Sequence, residues 1–181
     1  MGLKAYSAIG CCGIDCGLCP RFYTDGASRC PGCGGEDFES KHPPCSMLTC
    51  CVKKHGLEVC GQCVEYPCEK YEDRKKIERD SFTSHKRMFR NHERIKEVGI
   101  EVFLAEQNER VSLLKEMLAE YNDGRSKSFF CLACALLPVE YLRAAVDEVG
   151  VSADNKNDAK TLRAVLGKYA VSSGVNLALE R

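Results

Sequence analysis

Twelve of the fourteen cysteines in this chain fall between Cys11 and Cys68, and six of those stand in Cys-x-x-Cys pairs: Cys16 with Cys19, Cys30 with Cys33, and Cys60 with Cys63. Two intervening residues let a tight turn aim both sulfurs at one ion about 2.3 Å away. A glycine inside the turn, here Gly17, Gly32 or Gly61, lets backbone N–H groups approach the thiolates. The same stretch is broken every few residues by glycine or proline and carries too few apolar residues to build a core. Burial cannot hold such a segment folded, but the free energy of metal coordination can.

Paired cysteines also suit a disulfide framework, and the compartment decides between the two. The opening residues Met1 to Ser7 lack the basic start and continuous apolar stretch of a secretory signal. No apolar run approaches the 18 or so residues a membrane span needs. A soluble cytoplasmic protein with no membrane partner is therefore expected, and there thiols stay reduced.

Ten cysteines are candidate ligands: Cys12, Cys16, Cys19, Cys30, Cys33, Cys45, Cys50, Cys60, Cys63 and Cys68. Zinc is the expected metal, in about two structural four-cysteine sites closed to water and substrate. Cys30, Cys33, Cys45 and Cys50 would close one site locally, and the remaining six would supply the other. Cys11 and Cys51 adjoin better-placed ligands, and because adjacent residues point in different directions they are set aside. His42 and His55 read as surface polar residues. An iron–sulfur cluster is the alternative cofactor, because thiolate sites for zinc and iron look alike in sequence. Cys12, Cys16 and Cys19 even share the spacing of the radical S-adenosylmethionine triad, without the alternating strands and helices of those enzymes. No paired carboxylates or nucleophile–base arrangement stands out, so a non-enzymatic role is expected.

Beyond Cys68 the pattern turns helical. Helices are expected over 69–79, 81–97, 101–121, 126–137, 139–149 and 158–170, with Gly150 closing the fifth. Val175, Leu177 and Leu179 alternate as a short strand or fraying helix would. The fold class is thus mainly α: a small irregular cysteine-rich zinc-knuckle module with short hairpins, residues 1–69, packed on a helical region, residues 70–181. Cys131 and Cys134 lie among Phe129, Phe130 and Leu132 and read as core rather than a redox pair. Residues 74–96 carry six more basic than acidic residues. A basic helix there, with Phe82, His85, Phe89 and His92 for stacking, makes nucleic acid an alternative partner. A solvated face paired with Glu97, Glu101, Glu106 and Glu109 explains the same charges, and zero formal net charge argues against nucleic acid. A protein partner is the other option.

The cysteine pattern resembles an uncharacterised cysteine-rich domain of unknown function found in anaerobic bacteria and methanogenic archaea. The likeness rests on Cys-Gly-x-x-Cys-Gly-x-Cys-Pro over Cys12 to Pro20, Cys-x-Gly-Cys over Cys30 to Cys33, and Lys-Lys-x-Gly over Lys53 to Gly56 after Cys45. It closes on Cys-x-x-Cys-x-x-Tyr-Pro-Cys over Cys60 to Cys68. It extends toward Ser128 to Pro138 and so spans most of the chain. The resemblance implies metal binding and a prokaryotic, often anaerobic, owner; it brings no substrate or catalytic residue.

Overall fold

The computed structural model describes residues 2–76, 78–151 and 158–181. The chain is mainly α, and among the described residues there is no strand. It divides into two compact units, residues 1–104 with 179–181, and residues 105–178.

In the first unit the cysteine-rich stretch runs through short 3₁₀ turns at Cys16–Leu18, Pro20–Tyr23, Gly26–Ser28 and Cys60–Gln62. Its reversals are these turns rather than strand-paired hairpins. Two one-turn helices, α1 (Phe38–Lys41) and α2 (Ser46–Leu48), precede a π-helical turn over Thr49–Lys54. Helix α3 covers Glu69–Lys75 and α4 covers Met88–Val98. The helix expected from residue 81 starts later because side chains capture the backbone donors it would need: Asp80 accepts from the His85 N–H at 2.7 Å and Ser84 from the Lys86 N–H at 3.3 Å. Gly99, at φ 82°, separates α4 from α5 (Ile100–Glu120).

Apolar clusters among the described residues serve this unit. Ile9, Val59, Ile95 and Phe103 are buried together. Around Cys11, Cys33 and Cys51 pack Phe38 and Leu48, so cysteine itself supplies much of the second cluster. The C-terminal residues return to this unit through Asp80, whose N–H donates to the Glu180 carbonyl at 2.9 Å. Residues 175–179 are neither strand nor helix.

The second unit holds most of α5 with α6 (Lys127–Leu136), α7 (Val139–Val151) and α8 (Ala159–Ser172). Helix α6 stops where Leu137, ahead of Pro138, turns extended. Arg110 donates to the Cys134 and Leu137 carbonyls at 2.8 and 2.6 Å, satisfying acceptors that the helix end leaves open. Helix α7 runs through Gly150 rather than ending there, since one glycine costs about 1 kcal/mol, less than its packing returns. Asp158 caps α8, accepting from the Lys160 and Thr161 N–H groups. Leu142, Leu162 and Leu166 are fully buried, and Tyr141 stacks on Tyr169 with centroids 5.1 Å apart. Cys131 and Cys134 lie in this core, with the Cys134 thiol 3.9 Å from the Met117 sulfur, as expected of packing residues. Among the described residues no helix is long and apolar enough to cross a membrane.

Leu142→Ala should destabilise the second unit by about 2–5 kcal/mol and Asp158→Ala by about 1 kcal/mol. Both are read from the urea midpoint of the helical circular-dichroism signal.

Candidate metal centre

Helix α4 positions the cysteine turns. Its inward stripe is Met88, Asn91, His92 and Ile95, and the two polar members are as buried as the apolar ones. Asn91 Nδ2 donates to the Gly13 carbonyl at 2.8 Å and to Asp15 Oδ1 at 3.0 Å, gripping the turn between Cys12 and Cys16. His92 Nδ1 accepts the Gly61 N–H at 3.3 Å, gripping the turn between Cys60 and Cys63. Because Nδ1 is the acceptor, the ring carries its proton on Nε2, which finds no acceptor at hydrogen-bonding geometry among the described residues. Both contacted turns need glycine. Gly13 sits at φ 86°, with the Met88 carbonyl and the His92 ring where a side chain would be, and a Cβ on Gly61 would stand 2.9 Å from His92 Nδ1. Tyr66 and Tyr71 pack against the same imidazole, and the Tyr71 hydroxyl donates to the Cys12 carbonyl at 3.0 Å.

The glycine N–H groups of two Cys-x-x-Cys turns do not serve the thiols, contrary to expectation. Gly17 donates to the Ala8 carbonyl at 2.7 Å, and Gly61 to His92. The sulfurs receive other backbone donors. The Cys11 N–H reaches Cys33 Sγ at 3.4 Å, the Ile14 N–H serves Cys12, and the Arg21 and Phe22 N–H groups serve Cys19. N–H donors aimed at sulfur favour the thiolate, the form that binds metal. Burial works the other way, pushing the Cys12 thiol up to about 11 and raising Cys16 and Cys19.

The ten expected ligands gather in four neighbourhoods of the first unit. Cys19 and Cys30 are electrostatic neighbours. Cys33 is buried against Cys11 and Cys51, with Cys16, Cys45 and Cys60 packed around them. A cavity of about 30 Å³ has Cys50, Cys51, Cys60, Cys63, Cys68 and His55 on its wall. A wider groove of about 420 Å³ is lined by Cys12, Cys45 and His42 together with Lys70 and Arg74. The consecutive set Cys30, Cys33, Cys45 and Cys50 is thus spread over several of them. Among the described residues no three histidine, cysteine, aspartate or glutamate side chains already stand as a coordination shell. Cys11 and Cys51, set aside on spacing, are 1% and 4% exposed and sit at the centre of the thiols rather than outside them.

The basic stretch does not form one helix, because residues 81–87 are turns and bends. Lys86 pairs with Glu180 at 3.1 Å and Arg94 with Glu97 at 2.8 Å. His92 is fully buried and cannot stack on a base, and Phe89 packs on Tyr71. Of the four proposed stacking residues only Phe82, 62% exposed, lies open, and the Arg21 guanidinium stands 5.2 Å from its ring.

Burial lowers the His92 pKa from 6.5 to about 4, the nearby Cys12 carbonyl opposing the shift. Between those values the unfolded chain binds the extra proton, so stability falls as pH drops from about 6.5 toward 4. The loss reaches about 3 kcal/mol. His92→Gln removes this dependence. The stability advantage of the unsubstituted protein over the variant should therefore shrink by about that amount across the window.

Residues 8–73 match the model of a family described as a protein of unknown function, DUF3795. The match stops short of Ser128 to Pro138, so likeness in that stretch lies outside it. No curated protein matches the chain. No solved structure matches it. The N-terminal part of the chain is therefore similar to an uncharacterised family, and its richness in cysteine agrees with that likeness.

Proposed function

We propose that the chain is a zinc-binding protein whose N-terminal module, residues 1–69, folds around about two structural thiolate sites drawn from the cysteines between Cys11 and Cys68. The observation that carries this reading is the cavity of about 30 Å³ walled by Cys50, Cys51, Cys60, Cys63 and Cys68. Its lining brings five cysteines together, and thiolates are a soft donor set suited to zinc. Backbone N–H groups directed at Cys12, Cys19 and Cys33 add to the case, since they favour the thiolate needed for coordination. Once bound, zinc supplies the cohesion that a module with so few apolar residues lacks. The chain's own part is to hold the turns in register through Asn91 and His92 and to exclude water behind Tyr66 and Tyr71.

Contact between thiols favours a site in which two cysteines share one ion over a four-iron cluster, in which each iron takes a single cysteine. Cys11 Sγ and Cys33 Sγ are 3.5 Å apart, close to the roughly 3.8 Å edge of a tetrahedron with metal–sulfur bonds of about 2.3 Å.

Protein purified without oxygen should be colourless and carry about two zinc ions per chain by elemental analysis. Charge-transfer absorption in the visible with stoichiometric iron would replace this reading with an iron–sulfur carrier. Absence of any metal would end it. Stripping the zinc with a chelator should collapse the amide dispersion of residues 8–98 in NMR spectra and leave that of residues 105–178 in place.

A further inference from the structure

The two cysteines that spacing excludes, Cys11 and Cys51, lie at the buried centre of a thiol cluster. Cys11 Sγ lies 3.5 Å from Cys33 Sγ, Cys51 is buried in the same cluster with its thiol donating to the Leu57 carbonyl at 3.4 Å, and Cys60 packs against the cluster and shares a cavity wall with Cys51. The four cysteines therefore form one group, with Cys11, Cys33 and Cys51 buried and Cys60 at the edge. Backbone bonds fix the segments that carry them. The Cys60 N–H donates to the Cys11 carbonyl at 2.9 Å, and the Cys33 N–H to the Ser7 carbonyl at 2.9 Å.

An independent feature faces the same thiols. Lys4 is a buried lysine whose side chain is wholly out of solvent, with Nζ donating to the Ile9 carbonyl at 2.7 Å. Its stem packs against Gly34, next to Cys33. Among the described residues its acidic partner is Glu58, at 4.0 Å, and both Glu58 oxygens are engaged by the Ala5 and Tyr6 N–H groups at 2.9 and 3.1 Å. A buried ammonium is costly, and further negative charge near it lowers that cost. One divalent ion held by four thiolates has a net charge of about −2, and a cation buried beside it offsets part of that charge.

We propose that Cys11, Cys33, Cys51 and Cys60 are the ligands of one buried zinc ion, and that Lys4 is the internal counter-ion of that tetrathiolate. The proposal rests on the zinc reading above and assigns ligands within it. Binding converts four thiols to thiolates and releases their protons to solvent as the ion enters, with no change of oxidation state. Rotation of the cysteine side chains closes the group into a tetrahedron. The small cavity then keeps Cys50, Cys63 and Cys68 with His55 on the same wall, a Cys₃His set for a neighbouring ion.

The test replaces zinc by cadmium-113 in the intact protein and correlates each cadmium with cysteine β protons by NMR, which identifies ligands without any substitution. One cadmium coupled to the β protons of Cys11, Cys33, Cys51 and Cys60 is the expected result. Cadmium coupled only to other cysteines, with Cys11 and Cys51 uncoupled, overturns the assignment and leaves zinc binding intact. Failure to hold cadmium, in a protein that also contains no zinc as purified, overturns both. Lys4→Met should weaken retention of that one ion against a competing chelator by about tenfold, as loss of a second-sphere partner does. Unchanged retention would remove Lys4 from the proposal.

Discussion

Asn91 and His92 are neighbours on one helix, yet they hold turns that lie nearly fifty residues apart in the chain. Asn91 is bonded to Gly13 and Asp15, and His92 to Gly61. Much of the first unit depends on this pair, which together with the Cys60 N–H bond to the Cys11 carbonyl sets the distance between the two ends of the cysteine-rich stretch. A 3₁₀ turn of three residues fixes only itself. Two such turns anchored to successive positions of a helix have a defined separation, and the thiols they carry inherit it. The cost is a buried imidazole that must stay neutral and two positions that tolerate only glycine.

Charge sets the second condition. Twelve cysteines in one unit, three buried and nine partly so, are poor thiolates where burial costs them hydration and nothing offsets the loss. The offsets are distributed. Backbone N–H groups serve Cys12, Cys19 and Cys33, and the Lys4 ammonium serves the central group. Arg74 acts on Cys12, on the groove that Cys12 and Cys45 line. Under the zinc reading these groups stabilise anionic sites against their desolvation.

The helical half was legible because its signals are periodic. Val111, Leu114 and Leu118 in α5, and Leu162, Val165 and Leu166 in α8, recur at spacings of three and four. The errors came where side chains compete with the backbone, as Asp80 and Ser84 do ahead of α4, and at Gly150, where helix packing overrides a local stop signal. In the cysteine region, spacing within a turn could be read but grouping between turns could not. Grouping depends on contacts such as Cys11 with Cys33, 22 residues apart, and Cys51 with Cys60 across a π-helical turn. The signal for the α4 clamp was present and taken for something else. Residues 88, 91, 92 and 95 fall on one helical face, so Asn91 and His92 belonged with Met88 and Ile95 in the interior rather than with the stacking residues of a basic surface. Lys4 left no trace in the sequence, because one lysine near a terminus is ordinary until its burial is seen.

Burial alone does not give a cysteine its role, as four residues of this chain make plain. Cys131 and Cys134 are as buried as Cys11 and Cys51, and burial pushes the Cys134 thiol up to about 12, the level that Cys11 and Cys51 also reach. The surroundings differ. Cys134 meets a methionine sulfur among apolar helix residues, where a neutral thiol is a small hydrophobe and loses nothing by staying protonated. Cys11 meets the Cys33 thiol and lies in a cluster with Cys51. The causes of the high value differ accordingly. For Cys134 the cause is desolvation; for Cys11 the contact with Cys33, which lowers the value, is outweighed by Cys51 and by burial.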